Sequence, residues 1–171
     1  MPPADEPSAS PTDVVVRPAT EADHAAMRIV LERAIAITGT ARYTPAQVRA
    51  WVGTGGADAG WSSRLAALAA WVAEDGAALA GFVGLDAEGH VDLLFVDPDH
   101  GRRGVARALL DVAVARARDD GHARVTTDAS LVAEPVFARQ GFVAVRRQRV
   151  TRGDEVLENV RMALTLAPPP A

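Results

Sequence analysis

The chain has 171 residues, 49% of them apolar, 23% charged and 5% aromatic, and its 18 basic and 22 acidic residues give a formal charge of −4; the length suits one domain, and the charge argues against a broad nucleic-acid-binding surface. It contains no cysteine, which excludes a disulfide framework, a Cys-based zinc site and a thiol nucleophile. Every basic residue is arginine, so a Walker-type phosphate loop, Schiff-base chemistry and Lys-based catalysis are excluded as well.

Residues 1–13, MPPADEPSASPTD, are rich in Pro, Ser and acid. They lack the basic start and apolar run of a signal peptide and have too little apolar surface to order themselves, so a disordered tail is expected. Residues 167–171, APPPA, read as a second tail. No stretch approaches about 18 uninterrupted apolar residues, so no membrane span is expected. The expectation is a soluble, cytoplasmic domain over residues 14–166.

Within it, Val14-Val15-Val16 begins a strand closed by Pro18. Thr20 and Asp23 form a box-like helix start, and Met27, Val30, Leu31, Ala34 and Ile35 follow at helical spacing as far as Gly39. A second helix starts at Thr44-Pro45-Ala46-Gln47, where Thr44 caps, Pro45 takes the first helical position and Gln47 completes the box. GTGGADAG, residues 53–60, reads as a loop, and Trp61 to Ala69 as a short third helix. Strands at Ala70–Glu74 and Leu79–Leu85 flank the hairpin signal Asp75-Gly76. Another turn, DAEG, leads to the apolar strand His90–Val96. After the loop DPDHGRR a helix runs from about Gly104 to Asp119 and stops at Gly121. A strand at Arg124–Thr127, a helix at Leu131–Arg139 and two strands joined by Arg152-Gly153-Asp154 complete the chain. The summary order βααβββαβαββ implies a mixed sheet flanked by helices, an α/β or α+β domain.

The informative stretch is VDPDHGRRGVARALL, residues 96–110. A strand runs into a Gly-containing turn that opens a helix, whose unpaired N–H groups and partial positive charge suit a phosphate. Gly104 lets backbone approach an oxyanion closely, and Arg102, Arg103 and Arg107 add positive charge. An ordinary βα turn with solvated arginines accounts for the same fragment. The dinucleotide fingerprint GxGxxG is absent.

This stretch resembles the acyl-CoA loop of the GNAT acetyltransferases of the small bacterial kind, typically V-x-P-x-x-Q/R-x-x-G-x-G-x-x-L-L. Val96, Pro98, Gly101, Arg102, Arg103, Gly104, Val105, Ala106, Leu109 and Leu110 fall on it. A second family motif resembles ASLVAEPVFARQGF, residues 129–142, and the element order extends the likeness over about residues 14–166. The resemblance implies a single GNAT-like domain with a mixed, mostly antiparallel central sheet. It implies acetyl-CoA as cosubstrate and acetyl transfer to a small-molecule or peptide amine by direct attack in a ternary complex; the spacing of the acids and histidines leads us to expect no metal. It implies that main-chain groups of Leu94, Phe95 and Val96 pair with the pantetheine arm, and that main-chain N–H groups from Arg102 to Arg107 hold the pyrophosphate. Ser130 falls where the family often has a CoA-contacting Asn, and Phe137 where it often has a Tyr beside the sulfur. Many relatives dimerise, although no apolar stripe in this sequence marks an interface.

Three departures stand out. Gly101 replaces the usual Gln or Arg, Ala106 replaces the commoner second Gly, and Phe137 has no proton to give. Phe137 and Gly101 leave open a catalytically weak acyl-CoA-binding regulatory module as the alternative to an enzyme.

For the base, His90 and Asp92 lie two apart on one strand, so both side chains leave the same face, at positions where the family often carries a Glu or His. The bland account is a strand start and an exposed strand position. Metal ligation by His90, Asp92, Asp97, Asp99 and His100 fits no ligand template. On the acceptor side, Tyr43 is the chain's single tyrosine and precedes the helix carrying Trp51. Tyr43 is expected to line the acceptor site or serve as a substitute acid, while Trp51, Trp61 and Trp71 are candidates for core or pocket. The acidic charge favours a cationic amine, but Arg146, Arg147 and Arg149 run the other way.

Overall fold

Local signals set most elements in a computed structural model that describes residues 14–53 and 58–168. The expected tails fall outside those residues, apart from Ala167 and Pro168, as does the centre of the glycine-rich segment. Strand β1 (Val15–Pro18) leads to Thr20, whose N–H donates to the Asp23 carboxylate at 2.7 Å, and a short 3-10 turn opens helix α1 (His24–Arg33). Met27, Val30 and Leu31 are buried as the periodicity requires, but the α-helix does not continue to Gly39. It widens into a π-helical turn over Ala34–Thr38 and then tightens into a 3-10 turn at Gly39–Ala41.

Helix α2 (Pro45–Gly53) carries the capping box its sequence announces: Thr44 N–H donates to Gln47 Oε1 at 3.0 Å, and Gln47 N–H to Thr44 Oγ1 at 3.2 Å. Helix α3 spans Asp58–Ala66, three residues upstream of its expected start, so part of the glycine-rich loop is helical and Ala69 belongs to the next strand. The order is therefore βαααβββαβαββ, with a third helix that the summary order omits.

Strands β2 (Ala69–Asp75) and β3 (Ala78–Leu85) form the expected hairpin, and Gly76 takes φ +60° in its turn. Strand β4 (His90–Val96) has its expected bounds. Helix α4 (Val105–Asp119) begins one residue late because Gly104, at φ +81°, is its N-cap. Strand β5 extends to Ser130 (Arg124–Ser130), so Leu131–Ala133 form a turn and α5 shrinks to Glu134–Arg139. Strands β6 (Val143–Arg152) and β7 (Glu155–Thr165) close the chain.

The seven strands lie in the order β1-β2-β3-β4-β5-β7-β6, antiparallel except for β4 beside β5. Helices cover both faces. A Cβ on Gly81 of β3 would meet Val105 Cγ1 and Leu109 Cδ1 of α4 at 3.1 and 3.2 Å. The next residue, Phe82, points the other way and lies edge-on to Trp61 of α3, with centroids 6.0 Å apart. Gly81 is required here for a second reason: that Cβ would also sit 2.7 Å from the Phe95 carbonyl oxygen, which is backbone. Phe82, Met27, Ile35, Leu109 and Leu110 are among the fully buried side chains of the core.

Candidate active site

The site begins where a ladder stops. Strands β4 and β5 pair at His90–Thr126 and Val91–Thr127, and there the pairing ends. Beyond it, β4 stays with β3 through Val96, while β5 stays with β7 through Ser130. Parallel neighbours that part in this way leave the β5-facing edge of Leu93–Val96 without a strand partner, so its N–H and C=O groups are available to a ligand.

A cavity of about 630 Å³ fills the opening, and its walls include Leu31, Ile35, Trp51, His90, Asp92, Asp128 and Phe137. A smaller apolar one of about 130 Å³ adjoins it through Ile35, Trp51, Leu94, Phe95, Ser130 and Ala133, and runs on to Val96 and to Ala106 of α4. The π turn borders this smaller cavity with Ala34, Ile35 and Thr38. A relay of aromatic contacts, Tyr43–Trp51, Trp51–Phe95, Phe95–Phe82 and Phe82–Trp61, carries the wall into the core. Of the tryptophans, Trp51 is thus a wall residue and Trp61 a core residue, its indole N–H donating to the His24 carbonyl at 2.8 Å; Trp71 is half-buried on β2.

The turn after β4 is tied to α1 by ion pairs. Asp97 is buried; it accepts from Arg33 Nε at 2.8 Å and from the Asp99 N–H at 3.0 Å. Burial pushes its carboxyl upward, but the Arg33 and Asp99 hydrogen bonds outweigh this and hold it below its ordinary value. Past Gly101 the backbone turns left-handed twice, at Arg102 (φ +62°) and Gly104 (φ +81°). Arg102 is the only non-glycine with positive φ among the described residues, a conformation that costs about 1–2 kcal/mol. The first main-chain bond into α4 runs from Ala108 N–H to the Gly104 carbonyl, so Val105, Ala106 and Arg107 N–H groups face the turn without helical acceptors. The turn thus presents free N–H groups of the kind that can hold an anion. Its arginines differ in role: Arg103 is drawn to Asp75 at 3.1 Å, whereas Arg102 is exposed and Arg107 reaches only to Asp111 at 3.9 Å. At Gly101, with φ −62°, a Cβ would meet nothing nearer than the Pro98 carbonyl oxygen at 3.4 Å, so the backbone does not demand glycine there.

His90 and Asp92 both line the cavity, but not through simple alternation. The β3–β4 register passes from Gly84–Leu93 to Leu85–Val91, which makes Asp92 the extra residue of a β-bulge. The Asp92 carboxylate accepts from Arg64 Nε of α3 at 2.7 Å. His90 lies within hydrogen-bond distance of the Thr126 hydroxyl through Nδ1, at 2.8 Å, and its Nε2 is 3.7 Å from an Asp128 oxygen. Asp128 in turn accepts two bonds from Arg161 and one from Gln148. Burial raises its carboxyl, and the Arg161 and Gln148 bonds more than reverse that.

Sequence reasoning missed Arg64, Asp128, Arg161 and the Arg33–Asp97 pair. Only Asp97 left a local signal, an Asp-Pro step that favours a side-chain-capped turn. Ser130 ends β5, with its hydroxyl oxygen accepting from the Ala133 N–H at 3.1 Å. Phe137 is buried edge-on to Phe142, with centroids 5.1 Å apart. Tyr43 is buried on the cavity wall, but its hydroxyl donates to the Glu158 carbonyl at 2.6 Å and accepts from the Leu131 N–H at 2.9 Å, so no proton is left for a substitute acid.

Known proteins resemble this chain in sequence and fold. The sequence model described as an acetyltransferase (GNAT) domain matches residues 40–166. An Escherichia coli (strain K12) protein, the uncharacterized N-acetyltransferase YafP, is 39% identical over 118 residues, 69% of this chain and 73% of that protein. The crystal structure of a GCN5-related N-acetyltransferase from Rhodopseudomonas palustris superposes with a TM-score of 0.86 at 30% identity, over 89% of this chain and 95% of that one. PaiA N-acetyltransferase from Thermoplasma acidophilum, solved in complex with coenzyme A, shares the fold with a TM-score of 0.74 at 14% identity, over 90% and 99% of the two chains. Parted strands, a left-handed cradle and these matches agree, and the chain belongs to the GNAT acetyltransferase family.

Proposed function

We propose that this acetyltransferase moves an acetyl group from acetyl-CoA to a primary amine, on a small molecule or a peptide, by direct attack in a ternary complex. The observation that carries the reading is the end of β4–β5 pairing after Val91, beside a cradle at Arg102–Arg107. The pantetheine arm would lie along Leu94, Phe95 and Val96 as an added strand. The N–H groups of Arg102, Arg103, Gly104, Val105, Ala106 and Arg107 would hold the pyrophosphate, and Ser130 and Phe137 would flank the reacting end.

Attack needs a neutral amine, and an alkyl ammonium titrates near about 10, so a base is required. Imidazole is the side chain whose charge changes close to neutrality, and we assign the base to His90. It takes the ammonium proton before attack, with Asp128 3.7 Å away to steady the imidazolium, and passes it to solvent; the second proton, lost from nitrogen once the C–N bond has formed, follows the same route. Asp92, already engaged by Arg64, shapes the charge at the cavity mouth. A main-chain N–H on the open edge of β4 polarises the carbonyl. The C–S bond then breaks, and a thiol of pKa about 8.5 leaves as thiolate without a proton donor, which agrees with Phe137 in the flanking position. Tyr43 and Trp51 contribute ring surface to the acceptor wall.

Isothermal titration with acetyl-CoA and free CoA, followed by a thiol-release assay over a panel of amines, tests the reading. Micromolar binding with release of CoA is expected. Absence of binding at millimolar ligand overturns the cradle, and binding without release from any amine overturns amine transfer.

A further inference from the structure

The register of β5 and β7 runs from Arg124–Thr165 to Ser130–Asn159, and the next rung would pair Leu131 with Glu158. That rung is missing as a backbone pair, and the Tyr43 hydroxyl stands in it. The Leu131 N–H donates to Tyr43 Oη, and Tyr43 Oη donates to the Glu158 carbonyl, so one phenol satisfies both groups that a continued ladder would have joined. The tyrosine is itself fixed. Its own N–H donates to the Gly39 carbonyl at 3.0 Å, and its ring meets Trp51 edge-on with centroids 5.4 Å apart.

What the peg holds apart is the active site. On one side Leu131 begins the turn whose Ala133 N–H rests on Ser130 Oγ, and Ala133 carries the first bond to Phe137 of α5. On the other, Leu157, Glu158 and Asn159 of β7 form the facing wall. A direct Leu131–Glu158 bond would draw these walls together, and no bond at all would let them drift. We infer that Tyr43 is a positioning residue, which sets the width of the acyl-transfer cleft by replacing one backbone rung between β5 and β7. It donates no proton to the reaction and acts through Ser130 and Phe137. The inference rests on the reading that acyl-CoA occupies this cleft.

Tyr43→Phe removes the bridge and keeps the ring. Trp61→Phe is the matched control, since it also deletes a hydrogen bond from a buried aromatic but lies outside both cavities. At a temperature where both variants are folded, Tyr43→Phe should lower kcat/KM for acetyl-CoA at least tenfold, with Trp61→Phe within twofold of the parent. If Tyr43→Phe loses only thermal stability, with kcat and KM both within twofold, the peg is structural and the inference fails. Because Tyr43 is the single tyrosine, 3-fluorotyrosine gives the unmutated protein one fluorine resonance, which decides the matter even if the variant does not fold. The line should shift on saturation with CoA. A line that stays put while titration calorimetry records binding overturns the inference alone, whereas no calorimetric binding overturns the CoA reading beneath it.

Discussion

His90, Gly104 and Tyr43 each offer a substitution that tests one proposed role. Replacing His90 by Gln keeps a polar group near Thr126 but removes the proton acceptor, and general-base loss of this kind costs about 10²–10⁴ in rate. His90→Gln should therefore lower kcat by that factor and leave the KM for acetyl-CoA within twofold. An unchanged kcat would move the base to water or to another group. At Gly104 a Cβ would meet nothing within 4 Å, so the whole penalty of Gly104→Ala lies in the φ of +81°. That predicts a loss of about 1–2 kcal/mol in thermal or denaturant unfolding. Gly104→Glu should add a carboxylate to the cradle and abolish CoA binding in calorimetry, beyond what the shared backbone strain explains. Residues acting through long-range partners were the least legible in the sequence. Tyr43 could be singled out as the one tyrosine before a capped helix, yet its partners lie 88 and 115 positions away, and nothing local marks Leu131 or Glu158. Asp128 and Arg64 were invisible for the same reason: each is an ordinary charged residue until the sheet brings it to His90 or Asp92.

At the level of elements, signals written within four residues came through. Thr44 and Gln47 announced α2 by their capping box, and the alternation from apolar strand to Gly turn to apolar helix located β4 and α4 within a residue. The failures have physical causes. AIAIT at 34–38 has the spacing of an α-helix, yet it forms a π turn where Ala34, Ile35 and Thr38 border the smaller cavity, and such turns gather at functional sites without a local sequence signal. The glycines before Trp61 suggested loop, but α3 absorbs Gly60 at an exposed position where propensity costs only about 1 kcal/mol. Asp92 in a bulge defeats any rule based on strict alternation. The packing of β3 under α4 yields its own prediction. Gly81→Ala would press a methyl group onto the Phe95 carbonyl oxygen and onto Val105 and Leu109. Overpacking of this sort costs about 1–3 kcal/mol, and should lower Tm by several degrees in a melt. Since the displaced strand is β4, CoA affinity should fall with it; a melt at the parental Tm would show that the two layers have slack.

Across the whole molecule, contacts between neighbouring elements are held by carboxylates with depressed affinities for protons. Asp23 meets Arg17, Asp97 meets Arg33, and Asp128 meets Arg161 and Gln148. The Arg17 bond is the largest influence on Asp23, while at Asp97 and Asp128 hydrogen bonds overcome the effect of burial. A carboxyl that binds its proton less well when folded adds stability above its unfolded value of about 3.9, and that stability is lost as pH falls through the folded value. Tyr43 is the opposite case. Burial raises its phenol against the partial relief of the Leu131 N–H and Arg42, so the stability it adds is complete below about 10 and disappears as pH rises past that. Tm should therefore be level across neutrality, fall below about pH 4 and fall again above about pH 10. Asp97→Asn should shallow the acid fall and Tyr43→Phe the alkaline one; melts against pH that leave either limb unaltered would detach that residue from the effect.

Each ion pair recorded among the described residues is built on a guanidinium or an imidazole against a carboxylate. An arginine stays protonated at any physiological pH and makes a poor nucleophile, whereas lysine is the usual side-chain target of activated acyl groups. An enzyme that handles such groups and carries no lysine has no side-chain amine to be acylated by its own donor. Its salt bridges, its charge of −4 and the grip of Arg33 on the turn after β4 are thus insensitive to how much thioester surrounds it. The same choice of cation that fastens the fold makes it chemically deaf to its own reagent.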